Sequence, residues 1–165
     1  MDESFLERVR VFLYRLEDGI LFALVLLMIG MAVTQILLRN LFHSAIIWGD
    51  MLVRILVLWI GLIGGMIASR QDNHIRIDIV ARYLPKGAEV AVQGIVKLFA
   101  SLVCAIMSYY SLEFVKMEFE DGGIAFANVP AWVCEAIIPF AFTIISLRYL
   151  ILSLINFTKF FKSGS

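Results

Sequence analysis

Charged residues are scarce in this chain. Asp, Glu, Lys and Arg make up 17% of its 165 residues, whereas hydrophobic residues make up 61%. Soluble domains contain about 25% charged and about 45–50% apolar residues. The composition therefore excludes an ordinary soluble domain, and it predicts an integral membrane protein with room for about four spans of roughly 20 residues each. The formal net charge is zero, so nothing in the total charge indicates a nucleic-acid partner.

Cysteine and histidine are also rare, with two residues of each. We expect Cys104 in mid-bilayer and Cys134 near one surface, which favours two small buried side chains over a disulfide. His43 and His74 are expected on opposite sides of the membrane, which argues against a haem held between spans. The sequence shows no metal-ligand spacing, no nucleophile–base set and no phosphate loop. We therefore expect no enzyme activity, no metal and no cofactor.

Apolar segments of the right length predict an all-α membrane protein of four spans in one domain, residues 1–165. Residues 1–18 have the spacing of an amphipathic helix, which lies at the membrane interface or extends the first span onto a partner. The third span has to include Lys97 or Glu113, because the residues between them are too few to cross a bilayer. The spans are predicted at about 19–39, 46–69, 91–113 and 131–155.

Proline and small polar residues add detail to the last two spans. The fourth span is expected to begin after Pro130 and to be kinked by Pro139. Both spans carry a stripe of polar or small residues at helical spacing, and we expect these stripes to face protein. The first stripe comprises Gln93, Lys97, Ser101, Cys104, Ser108 and Ser111, and the second comprises Glu135, Pro139, Phe142, Ser146, Tyr149, Ser153 and Asn156.

The distribution of Lys and Arg predicts the orientation. Basic residues collect in the N-terminal segment, the second loop and the tail, while the opposite side has only Arg39 and Lys116. Positive residues are enriched on the cytoplasmic side of membrane proteins. Both termini and the second loop are therefore predicted to be cytoplasmic. The residues on that side are Arg8, Arg10, Arg15, Arg70, Arg76, Arg82, Lys86, Lys159 and Lys162.

Asp50 and Arg54 lie within the second span, where charges are costly and usually face protein or water. Their spacing, with the acid four residues before the base, favours an ion pair on one helix. We interpret them as a structural pair at a packing or subunit contact; a proton- or ion-coupling site and snorkelling to headgroups are the alternatives. Gly61 and Gly65 are expected to share that face and to allow close helix packing.

Other polar residues in the spans and loops are candidates for contacts. Lys97 and Arg148 fit either snorkelling or a partner contact, with anionic phospholipid headgroups also possible. Glu135 lies near the outer end of the fourth span. The loop after the third span is acidic, and the predicted orientation places it outside the cytoplasm. Its acids include Glu118, Glu120 and Asp121.

A set of residues spread over most of the chain forms a recognisable pattern. Its members are Trp48, Asp50, Arg54, Trp59, Gly61, Gly64, Arg70, Asn73-His74-Ile75-Arg76-Ile77-Asp78, Leu84-Pro85, Val129-Pro130-Ala131-Trp132, Pro139 and Arg148. With this pattern the sequence resembles the small membrane subunit of tripartite ATP-independent periplasmic (TRAP) transporters, the DctQ-like family. The resemblance covers nearly the whole chain, including its length, four spans and amphipathic start. One departure is that the family usually has W-x-E-E where this chain has Trp48-Gly49-Asp50.

The resemblance implies a role in transport across the bacterial inner membrane. In this family the small subunit is a scaffold for a large multi-span subunit, which carries the substrate by sodium symport. A periplasmic binding protein delivers an organic acid such as a C4-dicarboxylate or sialic acid. Our candidates for the subunit interface are Asp50, Arg54, Trp59, Gly61, Gly65, Lys97, Glu135 and Arg148, and the cytoplasmic-surface motif is Arg70, His74, Arg76 and Asp78. We expect the acidic loop residues Glu118, Glu120 and Asp121 to help dock the binding protein.

Two other functions fit the size of the chain. A self-contained four-span antiporter that acts as a dimer usually has an essential acid in its first span, and residues 19–38 contain none. A membrane anchor of a redox complex would need haem ligands, and the histidine positions argue against them.

Overall fold

The computed structural model describes residues 3–44, 46–70 and 86–163. Within these residues, four helical segments are long and apolar enough to cross a membrane. They are Val11–Leu41, Gly49–Arg70, Val92–Asp121 and Ala131–Thr158. The expected all-α membrane class with four spans is therefore confirmed.

The first span is part of one long helix, α1, which runs from Glu3 to Leu41. We predicted a boundary near residue 18, but the helix continues through it. A lone glycine at position 19 lowers helix propensity by only about 1 kcal/mol, too little to end a helix supported on both sides. The N-terminal segment was predicted either to lie at the membrane interface or to extend the first span. In the structure it extends the first span as part of the same helix.

Helix α2, Gly49–Arg70, returns antiparallel beside α1 after a short connection. At its start Gly49 is buried, and a Cβ there would clash with the side chains of Gln35 and Met31. The Gln35 amide donates to the Ile46 carbonyl oxygen at 3.2 Å. Glycine therefore allows the two helices to meet closely at this end of the bundle, called here the Gly49 end. The opposite end of α2 is called the Arg70 end.

Helix α3, Lys86–Asp121, extends past both predicted ends of the third span. It stops at Gly122, whose φ of 67° is the left-handed conformation that glycine adopts without steric cost. A small antiparallel hairpin follows, formed by β1 (Ile124–Phe126) and β2 (Val129–Pro130). The sequence predicts only a loop here, because strands of two or three residues are too short to show an alternating apolar and polar pattern.

The fourth span consists of two helices, α4 (Ala131–Glu135) and α5 (Ile137–Ser163), which are interrupted at Ala136. Pro139 explains the break, because it has no N–H to donate to Glu135 and its ring crowds that carbonyl. Proline is tolerated in the first turn of α5, where N–H groups have no helical acceptor. The kink predicted for this span therefore occurs one turn before the proline.

Hydroxyl groups join α3 to α5, the most extensively packed helix pair among the described residues. Ser101 and Ser146 each donate to the other's backbone carbonyl oxygen at 2.9 Å. Ser108 lies 2.7 Å from the Thr143 hydroxyl, and buried Ser153 donates to the Gly94 carbonyl oxygen at 2.9 Å. The two predicted polar stripes therefore face each other within this chain.

Candidate functional site

One side of α2 is exposed along its whole length and forms the candidate functional site. The side chains on this side recur at about three- and four-residue intervals, so they share one helix face. Charged residues occupy the Gly49 end of this face, and Val57, glycines and alanine occupy the rest. We call it the open face of α2; its residues are Asp50, Arg54, Val57, Gly61 and Ala68, all exposed, with the partly exposed Gly64 beside them.

Asp50 and Arg54 do not form the predicted ion pair. Both side chains are exposed, and neither makes a hydrogen bond or ion pair within the described part of the chain. They line an open groove of about 810 Å³ between α1 and α2, together with Arg39 and His43. The favourable sequence spacing is present, but the pair does not form, and both residues line the groove instead.

The glycine ridge predicted beside Arg54 divides between two environments. A Cβ at Gly61 would meet no atom within 4 Å, so this position is open. A Cβ at Gly65 would lie 3.7 Å from Ile145 of α5, and Ser69 is only 1% exposed. A four-residue step turns by about 40° on a helix of 3.6 residues per turn. The ridge therefore rotates from the open face into the bundle.

At the Arg70 end, a cluster of charged side chains joins the helices. The Arg70 guanidinium donates to Glu17 Oε2 at 3.2 Å and pairs with the Asp18 carboxylate. It also donates to the Tyr14 carbonyl oxygen at 3.1 Å and lies 4.7 Å from the centre of the Tyr14 ring. These contacts join α2 to α1, and they leave only 9% of the Arg70 side chain exposed.

Arg148 brings α5 into the same cluster. Its guanidinium pairs with Glu17 Oε1 at 2.5 Å and donates to the Met66 carbonyl oxygen. It also lies 3.4 Å from the Ser69 hydroxyl. Arg148 is about 15 Å from the end of its span at Thr158, given 1.5 Å per residue. One cation therefore ties α1, α2 and α5 together well inside the span, rather than snorkelling.

Sequence reasoning missed Glu17 and Asp18. Both fall in residues 1–18, which were predicted as an amphipathic helix, and neither was singled out as a contact residue. The available signal was the continuity of the helix into the first span, which carries these acids to the level of Arg70. The distance in sequence from Glu17 to Arg148 gave no indication that they meet.

Two more of the candidate interface residues, Trp59 and Glu135, lie where α2 faces the start of the fourth span. The Trp59 indole N–H donates to the Cys134 carbonyl oxygen at 2.8 Å. This bond joins the middle of α2 to α4 beside the helix break. Glu135 lines a pocket of about 330 Å³ between α2 and the hairpin. Lys97, partly buried on α3, also has an interaction partner within the described structure.

The acidic docking candidates surround the hairpin. Glu120 and Asp121 are exposed at the end of α3, whereas Glu118 is partly buried and reaches back over Gly123. Aromatic pairs support this region. Trp48 stacks on Phe126 with ring centroids 6.2 Å apart, and Phe119 meets Trp132 edge to face at 5.5 Å. The remaining predicted motif residues, His74, Arg76 and Asp78, lie outside the described residues.

Known proteins match most of this chain. A sequence profile of the family described as tripartite ATP-independent periplasmic transporters, DctQ component, matches residues 28–159. The ectoine TRAP transporter small permease protein TeaB of Halomonas elongata is 30% identical over 146 residues, which cover 88% of this chain and 76% of that protein. The sialic acid TRAP transporter permease protein SiaT of Haemophilus influenzae is 25% identical over 154 residues, covering 88% of this chain but 24% of that protein.

We predict that Arg148→Gln lowers the free energy of unfolding by about 2 kcal/mol, because it removes one partner from a largely buried ion cluster. Thermal and denaturant unfolding of the purified chain in detergent measure the change. Arg15→Gln is the matched control, since this exposed arginine lies on α1 two residues before Glu17. Equal stability of the two variants would contradict a stabilising role for Arg148.

Proposed function

The chain belongs to the DctQ component family of tripartite ATP-independent periplasmic transporters, and we propose that it works there by bracing a larger transport subunit along the open face of α2. The family membership makes it a small membrane subunit of such a transporter, with a role in transport. The arrangement of its partners, its orientation and its substrate are the parts that we propose.

The observation that carries this proposal is the composition of the open face. Asp50 and Arg54 lie in the first two turns of the second span, exposed and without a partner in the described chain, although charged groups facing hydrocarbon are strongly disfavoured. Below them Gly61 offers a flat surface with nothing within 4 Å of a Cβ. Small residues let helix backbones approach closely, and lipid chains gain little from such a surface. A helix of another protein subunit could both compensate the exposed charges and pack closely against the small residues.

The length of one relative supports a larger partner. The region of SiaT that matches this chain is 24% of that protein, so the rest of that permease is a much longer polypeptide. TeaB, which is named a small permease protein, matches over 76% of its own length. Both shares are explained if this chain acts beside a separate, longer subunit that corresponds to the rest of SiaT. We identify that subunit as the large multi-span subunit of the transporter.

We propose that the substrate is an organic anion such as a C4-dicarboxylate or sialic acid, and that substrate and sodium bind in the large subunit. Two relatives named for different substrates, ectoine and sialic acid, each match 88% of this chain. A shared region paired with different substrates supports a substrate site outside it. The exposed apolar side chains of α1, by contrast, are suited to contact with membrane phospholipids.

Gly61→Leu tests the proposed interface. We expect this variant to fold, because the position is open, but to lose co-purification with the large subunit at least tenfold, because the added side chain separates the two helices. Gly30→Leu is the matched control, since a Cβ at Gly30 also meets nothing within 4 Å but lies on α1. Retention of the large subunit by Gly61→Leu would contradict the proposal.

We further propose that the Arg70 end faces the cytoplasm and the hairpin faces the periplasm of a bacterial inner membrane. The excess of Lys and Arg in the N-terminal segment, the second loop and the tail supports this orientation. A reporter that is active only in the cytoplasm, fused after Gly122, should be inactive, and the same reporter after residue 163 should be active. The opposite pattern would reverse the orientation.

The hairpin region is a proposed docking surface for the periplasmic binding protein. Exposed Glu120 and Asp121 give its edge a negative charge. Exposed charges chiefly set association rate and salt dependence. Neutralising Glu118, Glu120 and Asp121 together should therefore slow binding to the reconstituted transporter and weaken its salt dependence, as measured by surface plasmon resonance. Lys116→Gln, at the same end of α3, controls for a general charge effect; unchanged kinetics in the triple variant would remove these acids from the contact.

A further inference from the structure

One carboxylate oxygen of Glu135 is buried without a partner. The Oε2 atom has no hydrogen-bond partner among the described residues, while the residue as a whole is partly exposed. The residue lies in the fourth span, close to the helix break at Ala136. Burying a charged oxygen is costly unless a cation or a donor compensates it. A cation within reach of Oε2 would therefore stabilise Glu135.

Glu135 lines a pocket that is also lined by one cationic residue, Arg54. This pocket lies between α2, strand β1 and helix α4, and its volume is about 330 Å³. Its lining is otherwise apolar or small, apart from Arg54 and Glu135 themselves. Arg54 also lines the groove between α1 and α2, so its side chain stands at the border of two cavities. Asp50, one turn away, lines only the groove of these two.

We propose that in the bilayer the Arg54 guanidinium occupies this pocket and pairs with Glu135, joining α2 to α4 beneath the hairpin. The Arg54 side chain is long and flexible enough to choose between the groove and the pocket, and it stays charged in either place. In the pocket it compensates a buried acid. In the groove it is exposed beside an acid with which it makes no ion pair. The pair therefore removes two uncompensated charges at once.

This pairing changes the chemistry that the open face offers. With Arg54 turned toward Glu135, Asp50 remains as the uncompensated acid on the face. Resting on the proposed function, this implies that the large subunit presents a Lys, an Arg or another strong hydrogen-bond donor opposite Asp50. The partner surface is then basic at this point rather than neutral.

The test uses the full-length small subunit alone in lipid nanodiscs, with thermal unfolding as the readout. We expect Arg54→Gln and Glu135→Gln each to lower the midpoint by about 3 °C or more. The double variant should be at least as stable as either single variant, because removing both charges leaves neither one buried alone. Exchange of the charges, Arg54→Glu with Glu135→Arg, should restore part of the lost stability.

Two results would overturn the pair. Additive losses in the double variant would mean that the two residues act independently. An unchanged midpoint for Glu135→Gln would mean that Glu135 is neutral in the membrane and needs no cation. Arg39→Gln is the matched control, because Arg39 lines the groove but not the Glu135 pocket, and it should show no coupling to Glu135→Gln.

The role of Asp50 is tested separately in the assembled transporter. Asp50→Lys should reduce co-purification of the large subunit more than Asp50→Asn does, because it places like charges together. If the large subunit is retained equally by both variants while the Arg54–Glu135 coupling holds, the basic partner surface is wrong and the intramolecular pair stands. If the Arg54 and Glu135 variants show no coupling but the large subunit is retained normally, the intramolecular pair is wrong and the proposed function stands.

Discussion

The need to compensate Arg148 inside the membrane determines how the described helices are arranged. A guanidinium always carries its charge, so a position well inside a span demands acceptors at close range. Glu17 supplies a carboxylate from α1, and Met66 supplies a backbone carbonyl from α2. These contacts hold the three helices in the register that the structure shows. Arg70 then shares Glu17, which fixes α1 and α2 at the same level.

The bundle consequently has two kinds of polar group. The charges at the Arg70 end and the serine hydroxyls between α3 and α5 are satisfied within the chain, by ion pairs and by hydrogen bonds to backbone carbonyls. Asp50 and Arg54 on the open face of α2 make no such contact in the described chain. Because Arg54 has Glu135 as its proposed partner, Asp50 marks the point where another molecule completes the structure. A bracing subunit needs such a division between a rigid interior and an incomplete surface.

Much of this organisation was predictable from the sequence, because span length, hydropathy and the effect of Pro139 act locally. The Asp50–Arg54 pair failed because helical spacing permits a contact without requiring it when the side chains have a groove to enter. The direction of the Gly61–Gly65 ridge was misjudged because a small rotation accumulates over each turn. Glu17 could not be assigned to Arg148, since contacts between helices depend on register, which single helices do not encode.

The central claim is that the open face of α2 is covered by the large subunit. A photo-activatable amino acid at Val57, at the centre of that face and 54% exposed, tests it in the intact transporter within native membranes. The same residue at the neighbouring buried position, Leu56, is the control. The account predicts cross-links from position 57 to the large subunit and none to it from position 56. Cross-links from position 57 only to lipid, or to a second copy of this chain, would contradict it.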